Sequence, residues 1–163
     1  MRAFVILLVL AVPAPGEITW PRGSVSEWKG FRQHSFNLPG ADDARCMVVS
    51  PAKAAPGNPW IWRARFWGHQ PALDIALLEK GFHLAYCDVA GLFGAPPALK
   101  RWDAFYALAT RRGLSRKPVL EGMSRGGLVI VNWASAHPGK VSAIYGDNPV
   151  CNFNSWPGGN NGK

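Results

Sequence analysis

Apolar and polar positions alternate along much of this chain, and where the alternation stops, helical spacing takes over. Residues 31–38 (FRQHSFNL) predict an edge strand closed by Pro39-Gly40, and residues 45–50 (RCMVVS) a second strand closed by Pro51. The two suggest an antiparallel pair. A turn over 54–59 (AAPGNP) leads to a third, aromatic-rich strand at 60–66 (WIWRARF), which Gly68 breaks. Residues 71–80 predict a short helix whose apolar face carries Leu73, Ile75, Leu77 and Leu78, with Pro71 in its first turn and Gly81 at its C-terminal cap. A strand at 82–87 ends at Asp88, and a loop over 90–97 follows. Residues 98–112 place Leu99, Trp102, Phe105, Tyr106 and Ala109 on one helical face; Arg111 and Arg112 favour the helix end that Gly113 closes.

A short buried strand at 118–121, a turn at 122–126, a helix at 127–137 stopped by Pro138-Gly139, and a strand from Ala143 toward Asp147 complete the pattern. Strands alternating with helices predict an α/β fold with a mainly parallel sheet covered on both faces, made mixed by the early antiparallel strands.

The two ends depart from this rhythm. Arg2, the apolar run 3–12 (AFVILLVLAV) and the Pro13-Ala14-Pro15-Gly16 break read as a signal peptide over residues 1–16. Ten apolar residues fall short of the roughly 20 that span a bilayer, so no stable membrane anchor is expected after its removal, and the product is expected to be secreted or periplasmic. A buried N-terminal strand or helix is the other reading of this run. Residues 17–30 read as a linker or N-terminal extension, and residues 31–163 as one domain whose glycine-rich end follows a strand without a closing helix.

Composition narrows the class. Of 163 residues, 48% are hydrophobic and 17% charged, a globular balance; eight tryptophans and eight phenylalanines foretell an aromatic interior or cleft. The net charge of +8 is spread in pairs such as Arg63/Arg65 and Arg111/Arg112, with no basic run, so nucleic-acid binding is not expected. Cys46, Cys87 and Cys151 form no CxxC; they read either as one disulfide plus a free thiol or as small buried residues, and no metal site or cofactor is expected.

The candidate chemistry lies in Gly122-Met123-Ser124-Arg125-Gly126, a G-x-S-x-G pattern. The pentapeptide alone recurs by chance. Here a short apolar strand runs straight into it and an apolar helix straight out, the setting of a nucleophile elbow. Such a turn holds the serine in a strained conformation, and glycines two residues before and after it remove Cβ atoms that would clash. The helix N-terminus offers N–H groups to a developing oxyanion. The alternative is a tight turn that packs a helix on a strand without chemistry.

The run KPVLEGMSRGGLVIVNWASAHPGKV resembles α/β-hydrolase esterases and the related prolyl-oligopeptidase-like serine hydrolases of bacteria. The upstream run WIWRARFWGHQPALDIALLEKGFHLAYCDV resembles the strand, oxyanion loop, helix and strand that precede the elbow in that fold. The resemblance implies Ser124 as nucleophile, the Arg125 N–H as one oxyanion donor and a second N–H from the loop around Phe66 to His69, here assigned to Trp67. It implies a small-molecule or carbohydrate ester as substrate, with peptide cleavage as the alternative. Arg65 and His69 are the candidate substrate contacts. Glucuronoyl esterases also place Arg after the nucleophile; this chain shares that Arg, but not the rest of their elbow.

The family triad runs Ser, then Asp or Glu, then His. His137 is the one histidine after Ser124; thirteen residues on, it stands about 20 Å along a helix axis and cannot easily return. Asp147, at a strand end, is the candidate acid, or else a structural or substrate contact. The expectation is therefore an N-terminal portion of a longer hydrolase whose histidine lies beyond Lys163, with a non-catalytic binding protein on the same fold as the rival. Arg63 and Arg65 need partners in a central strand; Asp88, Glu121 and Asp147 are the candidates, in a structural ion-pair network.

Overall fold

The computed structural model describes residues 18–152, 154 and 156; the signal-peptide expectation for residues 1–16 and the glycine-rich end from 157 lie outside the described residues. Seven strands form one sheet: β1 (Ser24–Trp28), β2 (Phe31–Leu38), β3 (Ala44–Ser50), β4 (Trp60–Arg63), β5 (His83–Cys87), β6 (Val119–Met123) and β7 (Ala143–Asp147). Three α-helices connect the later strands: α1 (Ala72–Glu79), α2 (Pro96–Arg111) and α3 (Gly126–Ala136). The spatial order is β1-β2-β3-β5-β4-β6-β7. β1, β2, β3 and β5 pair antiparallel, while β5, β4, β6 and β7 run parallel, so the sheet is mixed as expected.

The stretch expected to be a linker holds the edge strand. β1 pairs with β2 from Ser24↔Ser35 to Trp28↔Phe31, so β2 is not the edge. Its sequence, SVSEW, is almost wholly exposed, and an exposed edge strand carries little apolar signal. The third strand is shorter than 60–66 because Phe66 takes a left-handed φ of 54° and turns the chain. The second helix begins two residues early because Pro96 and Pro97 fill its first turn, where their missing N–H groups cost nothing.

Period-2 alternation in β4 decides which core each residue joins. Trp60, Trp62 and Ala64 enter the larger core with Trp102, Phe105, Ala109 and Trp133 from α2 and α3. Trp62 is its centre, with ring centroids 3.9 Å from Trp102, 5.4 Å from Phe105 and 5.3 Å from Trp133. Ile61 faces the other way, joining Val49, Leu78 and Leu84, against which Leu73 and Leu77 of α1 pack. Arg63 follows Ile61 onto the α1 side. There it meets Asp74, a fully buried residue outside the apolar face of Leu73, Ile75, Leu77 and Leu78 that spacing predicted.

Cys46 and Cys87 stand opposite each other across β3 and β5, both buried and both unbridged. Cys151 is free and exposed, so neither of the two expected readings, one disulfide with a free thiol or three buried residues, is met. The neighbouring Cys87, with burial, pushes the Cys46 thiol well above its ordinary range, so it is a thiol and a packing group.

Candidate active site

The chain leaves β4 toward β5 on one side and later returns to β6 on the other. This reversal is a topological switch point at the carboxyl ends of β4 and β6, the position where open α/β sheets bind ligands. Two segments flank it: the turn after β6 and the loop after β4.

The turn after β6 is built for one exposed side chain. Ser124 has a φ of 49°, a region that costs an L-residue about 1–2 kcal/mol. The strain is held from three sides. The Ser124 N–H donates to the Asp147 carbonyl (3.0 Å), and the Ser124 carbonyl accepts from Gly127 (2.9 Å) and Val150 (2.8 Å). The glycines are favoured by contact. A Cβ on Gly122 would lie 2.5 Å from Ile130 Cδ1, and one on Gly126 would lie 3.3 Å from Arg65 Cβ. The Ser124 side chain is exposed at the tip, with α3 starting two residues later. The Arg125 N–H finds no acceptor among the described residues, so it is available to a ligand beside Ser124.

The loop after β4 is also strained. Phe66, Gly68 and Gln70 take left-handed φ values of 54°, 75° and 45°, with Trp67 and His69 between them on the ordinary side. Such alternation turns neighbouring N–H groups to one side, the backbone arrangement that holds anions. The His69 N–H donates to Phe66 O (3.0 Å), while the Trp67 N–H finds no acceptor among the described residues. The Trp67 ring packs on Trp28 and Tyr86, with centroids at 5.4 and 5.6 Å, along a surface groove of about 370 Å³ that also includes Gln33, Arg45, Met47 and Asp88.

The predicted site residues divide in two. Ser124, Arg125, Arg65 and Asp147 come together: Arg65 packs beneath Gly126, and the Arg65 and Arg125 guanidiniums lie 5.3 and 5.4 Å from the Phe66 ring centroid. Arg65 also approaches Asp88 at 4.0 Å, while Asp88 accepts from the Tyr86 hydroxyl at 3.0 Å. Asp147 contributes its backbone carbonyl to the elbow, and its carboxylate accepts from Asn148 at 3.4 Å. His69 is exposed on the strained loop.

The other histidines are elsewhere. His137 Nε2 lies 2.8 Å from Asp103 at the far end of α3. His83 is buried at the opposite end of the sheet, and burial lowers its pKa to about 4. His34 sits within β2. Among the described residues, no three His, Cys, Asp or Glu side chains gather as a metal-ion site.

The strongest electrostatic feature is one that sequence alone showed only in part. Arg63, 1% exposed, binds Asp74 at 2.5 Å and Glu121 at 2.8 Å through Nη1. Its Nε lies 3.2 Å from both the Arg65 and Phe66 carbonyls, and its Nη2 donates to His69 O. Glu121 was among the expected partners; Asp74 was not, because a charge in the middle of an amphipathic helix reads as solvent-facing.

No family model matches the chain, and no curated protein matches its sequence. Its structure is similar to several solved ones. A cold-adapted esterase from an Arctic intertidal metagenomic library aligns with a TM-score of 0.61 at 12% identity, over 77% of this chain and 64% of that one. A bacterial membrane phospholipase A aligns at 0.53 and 18%, over 74% and 40%. Oligopeptidase B from Trypanosoma brucei aligns at 0.58 and 16%, over 74% and 20%. The chain spans less than two thirds of the length of each. The strand order, the strand–turn–helix at Ser124 and these alignments agree on one architecture: the chain has the α/β-hydrolase fold.

Proposed function

We propose that this chain belongs to an exported serine hydrolase that cleaves carboxylic esters through an acyl-enzyme on Ser124. The observation that carries the reading is the exposed Ser124 at a φ of 49°, where strand gives way to helix. Strain of this kind persists only where the surroundings over-determine it, and it clusters at functional sites. The esterase and phospholipase among the similar structures support an ester as substrate.

In this reading the Ser124 hydroxyl attacks the ester carbonyl while a histidine takes its proton. The carbonyl oxygen becomes an oxyanion held by the N–H groups of Arg125 and Trp67, and collapse expels the alcohol, which regains the proton. Water then releases the acid by the same route. Asp147 is the candidate acid, and Arg65 and His69 the candidate substrate contacts. His137 is engaged with Asp103 at the far end of α3 and is not the base in this reading.

The test is covalent. A fluorophosphonate probe applied to the full-length protein is expected to label Ser124, and Ser124→Ala to abolish labelling. Continued labelling of the Ala variant would refute the nucleophile assignment. A panel of short aryl esters, acetylated sugars and proline peptides then separates esterase from peptidase.

A further inference from the structure

We propose that Arg63 is the positioning residue of the oxyanion loop, and that Asp74 and Glu121 clamp it while holding one proton between them. This rests on the serine-hydrolase reading for its catalytic meaning, but not for its geometry.

Peptide geometry makes the first part of the case. A carbonyl and the N–H of the next residue belong to one planar unit and point in opposite directions. The guanidinium fixes the carbonyls of Arg65, Phe66 and His69. It thereby aims the N–H groups of Phe66, Trp67 and Gln70 away from itself. Trp67 is the candidate second oxyanion donor, and it lies between the left-handed Phe66 and Gly68. An unheld loop would relax out of those conformations; bonds from one rigid, planar side chain supply the constraint. Lysine cannot replace it, because a point charge with one nitrogen cannot reach three carbonyls and two carboxyls in one plane.

Charge makes the second part. Two carboxyls on one guanidinium would leave a buried surplus negative charge if both were ionised. Asp74 Oδ1 and Glu121 Oε2 are buried and accept no hydrogen bond. Each orphaned acceptor costs about 1–3 kcal/mol. A single proton shared by the two carboxyls removes the surplus charge and supplies an O–H donor between them. The titration agrees in direction. Burial above all, then the charge and hydrogen bond of Asp74, raises Glu121 to about 8, with Arg63 opposing and Asp147 adding to the rise. Asp74 is also raised, by burial, against its bonds to Glu121 and Arg63.

The loop is therefore held by a cluster whose charge balance changes when the shared proton leaves. Above about pH 8 a second anion develops beneath the guanidinium, on β6 next to the elbow, and competes with the loop carbonyls for its N–H groups.

The experiment uses the full-length protein and two readouts. In steady-state hydrolysis of an aryl ester, Arg63→Lys is expected to lower kcat about 100-fold, the scale of a lost oxyanion donor, with KM within about threefold. Wild-type kcat is expected to fall along an alkaline limb near pH 8, and Glu121→Gln to move that limb upward by at least about one pH unit. A folded Arg63→Lys variant with kcat within threefold of wild type would overturn the positioning role. If that variant does not fold, the Glu121→Gln profile decides alone: an unmoved limb overturns the proposal.

The second readout needs no activity. Carbon-13 NMR of labelled carboxyls is expected to show Asp74 and Glu121 titrating as a coupled pair that keeps one proton through neutral pH. Full ionisation of both below pH 6 would overturn the shared proton. A wild type that neither labels at Ser124 nor hydrolyses esters refutes the serine-hydrolase reading, and the NMR titration still decides the clamp.

Discussion

A Cβ placed on Gly127 would lie 2.4 Å from the carbonyl oxygen of Val150. The same Val150 donates its N–H to the Ser124 carbonyl, so the first turn of α3 and the segment after β7 are packed against each other beneath Ser124. Gly127→Ala gains up to about 1 kcal/mol of helix propensity. The contact is with backbone, which cannot swing aside, and overpacking of this kind costs about 1–3 kcal/mol. The clash wins. Gly127→Ala should lower the denaturation midpoint and slow fluorophosphonate labelling, while Gly139→Ala, with nothing within 4 Å, should stay within about 0.5 kcal/mol of wild type. Equal midpoints for the two variants would contradict the packing.

Trp62 is fully buried, and its ring contacts Trp60, Trp102, Phe105 and Trp133. Trp62→Ala should cost about 3–5 kcal/mol, enough to unfold a marginal domain, whereas Trp62→Phe keeps part of the volume and should cost less. Urea denaturation followed by circular dichroism measures both. A loss under about 1 kcal/mol for the Ala variant would mean that the aromatic core is not where the fold is held.

How far the sequence reaches depends on the kind of signal. Strand β2, helix α3 and the elbow were legible because each pairs an apolar period with a breaker: Pro39-Gly40 after β2, Pro138-Gly139 after α3, and Gly126 after Ser124; the expected strand at 118–121 runs on through Gly122 to Met123, because Gly122 stays in the β6–β7 ladder. β1 was not, since an exposed edge strand such as SVSEW gains its stability from backbone pairing with β2 and not from apolar burial. Asp74 was hidden for the opposite reason. Its burial depends on Arg63, eleven residues earlier on another element, and no local pattern reports that pairing. Ser124 could be placed from five residues, but the strained loop that faces it could not. Phe66 and Gln70 take left-handed conformations that their residue types disfavour, and the guanidinium that ties the Phe66 carbonyl is a tertiary contact.

Burial holds His83 neutral in the folded protein, its pKa lowered from 6.5 to about 4, with only a hydrogen bond to the Pro59 backbone opposing. The unfolded chain binds a proton there from about pH 6.5 downward, and the folded protein does not until about pH 4. Folding stability is therefore complete above pH 6.5 and is lost as pH falls toward 4, on the order of 3 kcal/mol in all. His83→Gln removes this titration. The difference in unfolding free energy between wild type and variant should turn against the wild type across that window; a difference flat from pH 7 to 4 would refute it.

Ser124 itself should oppose stability. At a φ of 49° Ser124 pays about 1–2 kcal/mol that glycine avoids, while glycine's larger unfolded-state freedom returns about 0.5–1 kcal/mol of that gain. Ser124→Gly should therefore be as stable as wild type or up to about 1.5 kcal/mol more stable. Ser124→Ala keeps a Cβ in the same conformation and should show no such gain. Both should lose fluorophosphonate labelling. Chemical denaturation of the three proteins side by side separates the backbone term from the hydroxyl. If Ser124→Gly is less stable than Ser124→Ala, the left-handed turn does not carry the strain that the elbow's geometry requires.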